Sequence, residues 1–265
     1  MDGPQEVVLH GGITNAGAVV RVGEHVLRSS NPFSGTVHRF LGAVEAAGFD
    51  GASTPVGIDL DGRERLVYIE GEAARVPYPI WSQTTEVLTS AVDLLAGLHG
   101  ASASFDPSGF DWNVELADPA GGAVVCHNDV CLDNVIVRDG RAVGLIDFDF
   151  ASPGRPLYDL AQLARHLVPI LGDDMSDLLG WAPADRPARL RLVADTYGLD
   201  RGGRTELLEL IPVAMAQARS FIEGRVAAGD VNFALMYDYT GGARRFDDQD
   251  AWWADHRDAF VSAMH

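Results

Sequence analysis

The chain has 265 residues, 47% of them hydrophobic, enough for one large domain or two lobes with packed cores. Acidic residues number 38 against 20 basic ones, a formal charge of −18, and every basic residue is arginine. So acidic a chain repels nucleic acid and anionic membranes, which argues against both as partners, and no run approaches the ~18 apolar residues of a membrane helix.

Residues 1–6 carry acidic side chains and no apolar segment, so a chain without a signal peptide, resident in the cytoplasm, is expected. A strand is predicted over 6–9, followed by a turn-rich loop over 10–17. Its Gly11, Gly12, Thr14 and Asn15 are candidates to cradle phosphates, because backbone N–H groups beside glycine approach a ligand unobstructed. An ordinary hairpin loop is the alternative. Strands follow over 18–22 and 25–28, joined by Gly23-Glu24, and the second ends in Arg28. A helix over 35–47 and a hairpin of 56–60 with 65–69 around Asp61-Gly62 complete this part. Glu70-Gly71-Glu72 comes next. A helix over 84–99 carries Val87, Leu88, Ala91, Leu94, Leu95 and Leu98 on one face, with His99 as a cap or packed residue.

The densest chemistry lies between residues 124 and 159. Val124-Val125 leads into a loop carrying His127, Asp129 and Asn134. Val135 to Val137 reads as a β-branched strand, Asp139-Gly140 as a two-residue turn, and 142–146 as the return strand. A tight hairpin sets the residue before its first strand beside the residue after its second. Asn134 and Asp147 therefore meet, close enough to share a cation, and magnesium accepts one or two carboxylates together with phosphate oxygens. This is the arrangement phosphoryl transfer needs: one carboxylate for the acceptor's proton, an amide and a second carboxylate for the metal. Cys126 and Cys131 are too few for a disulfide framework or a zinc site, and buried free thiols are expected. Helices are predicted over 156–171, 185–197, 205–227 and 250–264, with no repeat and no low-complexity linker.

The motifs His127-Asn128-Asp129, Asn134, Ile146-Asp147-Phe148-Asp149 and Asp159-Leu160-Ala161 resemble those of the aminoglycoside phosphotransferase and choline kinase superfamily. That superfamily is the small-molecule branch of the protein-kinase-like fold. The resemblance implies an α+β bilobal architecture, with a small antiparallel-sheet N-lobe over 1–69, a hinge over 70–75 and a mainly helical C-lobe over 76–265. It implies Asp129 as catalytic base, Asn134 and Asp147 as Mg²⁺ ligands, and supporting roles for His127 and Asp159 in holding the catalytic loop. Asp149 is a candidate for a second metal or for orienting that loop. Asn128 stands where the family has glycine, a mild departure because asparagine tolerates left-handed backbone. Kinase-like enzymes hold the α- and β-phosphates with a strand lysine paired to a helix glutamate. Here Arg28 stands in that place, and Val37 and His38 occupy the position expected of the glutamate. The segment from 68 to 72 is expected to offer backbone bonds to the purine, with Glu70 and Glu72 as candidates.

Only twelve positions lead from Asp147 to Asp159, too few for the activation segment a protein substrate requires, so a small-molecule acceptor is expected. The family places the acceptor between the catalytic loop and the carboxy-terminal helices. Glu223, Asp230, Asp247, Asp248 and Asp250 are candidates to bind ammonium groups there, and Trp252 and Trp253 to wall the site. The expected function is transfer of the γ-phosphoryl of ATP or GTP, with Mg²⁺, to a hydroxyl of an aminoglycoside or other antibiotic. A kinase for choline, homoserine or a sugar, and a non-catalytic nucleotide-binding module, are the alternatives. A monomer or homodimer is expected.

Overall fold

A computed structural model of the chain describes residues 6–9 and 19–265. Strands β1 (Glu6–Leu9), β2 (Val19–Val22) and β3 (His25–Ser29) come first, then helix α1 (Ser34–Ala46), then β4 (Pro55–Ile58) and β5 (Arg63–Val67). The five strands form one antiparallel sheet in the order β1-β2-β3-β5-β4. β5 begins at Arg63, ahead of the predicted 65, and this brings Glu64 into register opposite Arg28.

A two-residue strand β6 (Glu72–Ala73) leaves this sheet and pairs with a second one. Helix α2 (Thr85–Ser102) is capped by Thr84, whose side chain accepts from the Val87 N–H, and it buries Val87, Leu88, Ala91, Val92, Leu95 and Leu98. Each such side chain removed from water contributes roughly 1.5–3 kcal/mol before the entropy of ordering it is counted. β7 (Val124–Cys126), β8 (Val135–Arg138), β9 (Arg141–Leu145) and β10 (Ser152–Gly154) follow. β8 and β9 are joined by Asp139 and Gly140 at φ 53° and 74°, the left-handed pair a two-residue hairpin demands. β7 pairs with β10.

Helices α3 (Pro156–Leu167), α4 (Asp173–Leu178), α5 (Arg186–Tyr197), α6 (Arg201–Ala227), α7 (Val231–Tyr239) and α8 (Ala243–Met264) complete the chain. α3 is nearly enclosed: Asp159, Gln162 and Arg165 are buried beside its leucines. A polar residue inside a core needs a partner or a task. Several elements depart from the sequence reading: α2 runs on to Ser102 and α3 stops at Leu167, short of the predicted 171, while α4 had no predicted counterpart. α6 starts at Arg201, where Asp200 caps it; α8 starts at Ala243; and α7, with Asp230 accepting from the N–H groups of Asn232 and Phe233, had no sequence counterpart. Its apolar residues lack a 3.6-residue rhythm, and only Phe233 is buried. No helix among the described residues is long and apolar enough to cross a membrane. The predicted phosphate loop with Gly11, Gly12, Thr14 and Asn15 lies outside the described residues.

Candidate active site

The loop after β7 is held from below by Asp159, at the start of α3. The Asp159 carboxylate accepts from the backbone N–H of His127 at 2.7 Å and of Asn128 at 2.8 Å, and from His99 Nε2 at 3.0 Å. Burial pushes this carboxyl's pKa up, but the His99 hydrogen bond and the backbone hydrogen bond from His127 help to outweigh it and leave it below the usual range. His127 donates from Nε2 to the Ile146 carbonyl at 2.9 Å, so its Nδ1 accepts the Asp129 N–H at 3.3 Å. Burial lowers the His127 pKa and keeps the ring neutral. Asn128 sits at φ 64°, the conformation glycine would otherwise supply. Its side chain adds what glycine lacks: Nδ2 donates to the Phe150 carbonyl at 3.0 Å and to Ser152 Oγ at 2.8 Å, tying the loop to β10.

Asn134 donates from Nδ2 to the Asp129 carboxylate at 3.0 Å and to the Asp129 carbonyl at 2.9 Å. That turns its amide nitrogen toward Asp129 and leaves its amide oxygen for a cation. The Ile146 N–H donates to the Asn134 carbonyl at 2.9 Å, which extends the β8–β9 ladder and sets Asp147 at the same end. Burial, then the nearby Asp147 charge, pushes Asp129 up to about 8.

Arg28 joins the sheet to this end of the hairpin. Its Nη1 donates to Asp147 at 2.7 Å, its Nη2 to Asp149 at 2.5 Å, and its Nε lies 2.6 Å from Glu64 Oε1. Glu64 Oε2 in turn meets His38 Nε2 of α1 at 2.7 Å. The carboxylate partner of the strand cation thus comes from the neighbouring strand, and α1 contributes a histidine to it. Burial works against the Arg28 charge, but Asp147, Asp149 and Glu64 outweigh it and hold the guanidinium protonated. Three carboxylates around one guanidinium leave two negative charges in excess. Together with the Asn134 amide oxygen they are hard oxygen donors, the set that suits Mg²⁺, so the residues present fit the ion.

Two cavities meet here. One, of about 420 Å³, lies between the sheet and the hairpin and is lined by Val26, Arg28, Leu66, Gly71, Glu72 and Ile136 among others. The second, of about 330 Å³, lies beneath Asp129 among the carboxy-terminal helices. Asp133, Asn134 and Asp147 line both, whereas Asp129 lines only the second. Asp149 is held by Arg28 and lines neither; Glu70 is exposed, 3.7 Å from Arg21, and also lines neither.

The acidic acceptor candidates stand away from the second cavity. Glu223 and Asp247 pair with Arg219, Asp248 with Arg244, and Asp230 caps α7; none of them, nor Asp250, lines it. Trp253 is buried in the core with Trp252 packed against that core, and neither walls the cavity. What lines it instead is Arg165, His166 and Arg245 with a set of aromatic and aliphatic side chains. Sequence reading missed these residues, and also Glu64. The register of the β3–β5 pair would have found Glu64; no local signal marks Arg165 or Arg245.

Residues 108–193 match the family model described as a phosphotransferase enzyme family. The trifolitoxin immunity protein of Rhizobium leguminosarum bv. trifolii is 37% identical over 207 residues, spanning 75% of this chain and 76% of that protein. The chain belongs to this phosphotransferase family. Among solved structures, an amicoumacin kinase in complex with AMP-PNP and Ca²⁺ aligns with a TM-score of 0.62 at 11% identity, over 97% of this chain and 88% of that one. A choline/ethanolamine kinase family protein from Mesorhizobium loti aligns with a TM-score of 0.55 at 18% identity, over 98% and 92%. The fold of this phosphotransferase is therefore the kinase-like one expected from its motifs.

Proposed function

We propose that this phosphotransferase moves the γ-phosphoryl group of ATP or GTP to a hydroxyl of a small antibiotic or toxin and so protects its host. The position of Asp129 carries the reading: it lines one cavity, and the residues that would hold Mg²⁺ line both it and the neighbouring one. The larger cavity takes the nucleotide, with residues 1–69 as its lobe, 70–75 as the hinge and 76–265 as the remainder. The smaller takes the acceptor. Mg²⁺, when bound by Asn134 and Asp147, neutralises phosphate charge. Asp129 receives the acceptor hydroxyl's proton, and a pKa pushed up to about 8 gives it proton affinity near the working pH. Arg28 lies on the wall of the nucleotide cavity with its charge secured, placed to meet phosphate oxygens. Protection, over a housekeeping kinase role, is supported by the printed name of the 37% identical relative, an immunity protein.

The test is nucleotide consumption with ATP and with GTP in the presence of Mg²⁺, across aminoglycosides, other antibiotics and small metabolic alcohols, beside inhibitory concentrations for a host expressing the protein. Asp129→Asn should lower turnover by roughly 10²–10⁴-fold while nucleotide binding persists. Undiminished turnover would remove Asp129 as base. Host protection that survives the substitution would favour a module that binds without reacting.

A further inference from the structure

The smaller cavity is lined by charges of both signs, and they are partnered very differently. Its floor holds Asp129, Asp133 and Asp147, all engaged: by Asn134, by Tyr78 at 2.6 Å, and by Arg28. Its other polar groups are Arg165, His166, Arg245 and Gln249. Arg165 is buried on α3 and bonds only neutral acceptors, Gln162 Oε1 at 3.2 Å and His166 Nε2 at 2.7 Å. Arg245 donates to Thr240 Oγ1 at 2.7 Å and lies 4.3 Å from the Phe246 ring centroid. Among the described residues neither guanidinium has a carboxylate within ion-pair distance. The contrast with their neighbours is sharp: Arg219 holds Glu223 and Asp247, and Arg225 holds Glu115.

Burial, with the Arg165 charge added, drives Arg245 down to about 10, and burial then the Arg165 charge keep His166 neutral. Since Nε2 of that neutral ring accepts from Arg165, its Nδ1 carries the hydrogen. Two guanidinium groups and an imidazole N–H therefore form a region of donors. The Asp129 charge acts on Arg165 from within the same cavity, but no carboxylate hydrogen-bonds either guanidinium, and a ligand carboxylate that does so gains charge-assisted bonds in a partly desolvated site. The remaining wall is apolar, with Phe150, Phe221, Phe233, Met236 and Phe246.

We propose that the acceptor is a predominantly apolar molecule bearing a carboxylate, which Arg165 and Arg245 bind while the reacting hydroxyl lies at Asp129. This rests on the reading that the smaller cavity is the acceptor site. A polycation is disfavoured at that end, because its ammonium groups would meet two guanidinium groups while the three carboxylates of the floor are already engaged by Asn134, Tyr78 and Arg28. The geometry makes Arg165 and Arg245 specificity determinants for the substrate.

The experiment is equilibrium binding by calorimetry to the full chain with Mg²⁺ and AMP-PNP. It uses three probes of one shape: 2-naphthylacetate, 2-naphthylacetamide and 2-(2-naphthyl)ethylammonium. The carboxylate should bind at least ~10-fold more tightly than the amide and the ammonium most weakly. In Arg245→Met and in Arg165→Gln, measured separately so that one poorly folding variant is not decisive, the carboxylate preference should fall to near unity with amide affinity kept. Equal binding of carboxylate and amide, tighter binding of the ammonium, a preference untouched by both substitutions, or no carboxylate binding up to ~10 mM would each overturn the proposal. Because the readout needs no turnover, a protein that prefers the carboxylate but transfers no phosphoryl group would overturn the transfer reading and leave Arg165 and Arg245 as carboxylate-binding residues alone.

Discussion

Arg28 shows how much one side chain can be asked to do. A planar guanidinium reaches Glu64, Asp147 and Asp149 from three of its nitrogens, which an ammonium cannot do at once. Arg28→Lys should therefore raise the nucleotide KM by at least ~10-fold with little change in acceptor KM, and Arg28→Ala should destabilise the fold by roughly 3–5 kcal/mol by stranding buried carboxylates. Steady-state kinetics and denaturant unfolding check the two, and unchanged nucleotide kinetics would remove Arg28 from the phosphate site. The buried histidines make a separate prediction. His127 and His166 both have folded pKa values lowered, first by burial. A depressed value means the stability is present above the unfolded pKa of about 6.5 and is lost as pH falls through the folded one. Thermal midpoints should accordingly drop between about pH 7 and 5, and His166→Gln should flatten that slope. The candidate residues Asp129, Asn134 and Asp147 were legible because they lie in one stretch whose hairpin converts spacing into proximity. Glu64 was missed because the predicted strand began one residue past it.

At the scale of elements, the β8–β9 hairpin and α3 divide the work. The hairpin brings Asn134 and Asp147 together, while α3 carries Asp159 under the loop after β7 and Arg165 into the smaller cavity. Six residues of helix separate them by ~9 Å, so one rigid rod sets the loop after β7 and the Arg165 end of the smaller cavity in fixed relation. The link between the two sheets is tight as well. Gly71 sits at φ 145°, and an added Cβ would lie 2.7 Å from the Val137 carbonyl oxygen on β8. Gly71→Ala should thus cost ~2 kcal/mol or more and weaken nucleotide binding, since Gly71 lines that cavity. Circular-dichroism melts with nucleotide titration read both, and an unperturbed variant would show the link to be compliant. α7 escaped the sequence reading because its apolar residues follow no helical period, and its capping Asp230 had been assigned to the acceptor instead.

For the whole molecule, the charge of −18 and the cavity tell opposite stories. A net charge of that size destabilises the compact state through self-repulsion, so the thermal midpoint should rise by a few degrees from ~10 to ~150 mM salt as the screening length shortens from ~30 to ~8 Å. No rise would mean that the acidic residues are already neutralised by the arginines around them. The global field attracts cations, yet the smaller cavity is lined by buried Arg165 and half-buried Arg245, and short-range groups inside a low-dielectric pocket outweigh a screened surface charge. The sequence by itself determined the family, the kinase-like fold and the catalytic and metal candidates, because those residues lie within one stretch whose hairpin geometry is local. Only the tertiary structure decided what lines the smaller cavity. Its wall is assembled from α3, α6, α7 and α8, elements far apart in the chain, and no spacing rule says which of many arginines and acids will be turned inward when helices pack.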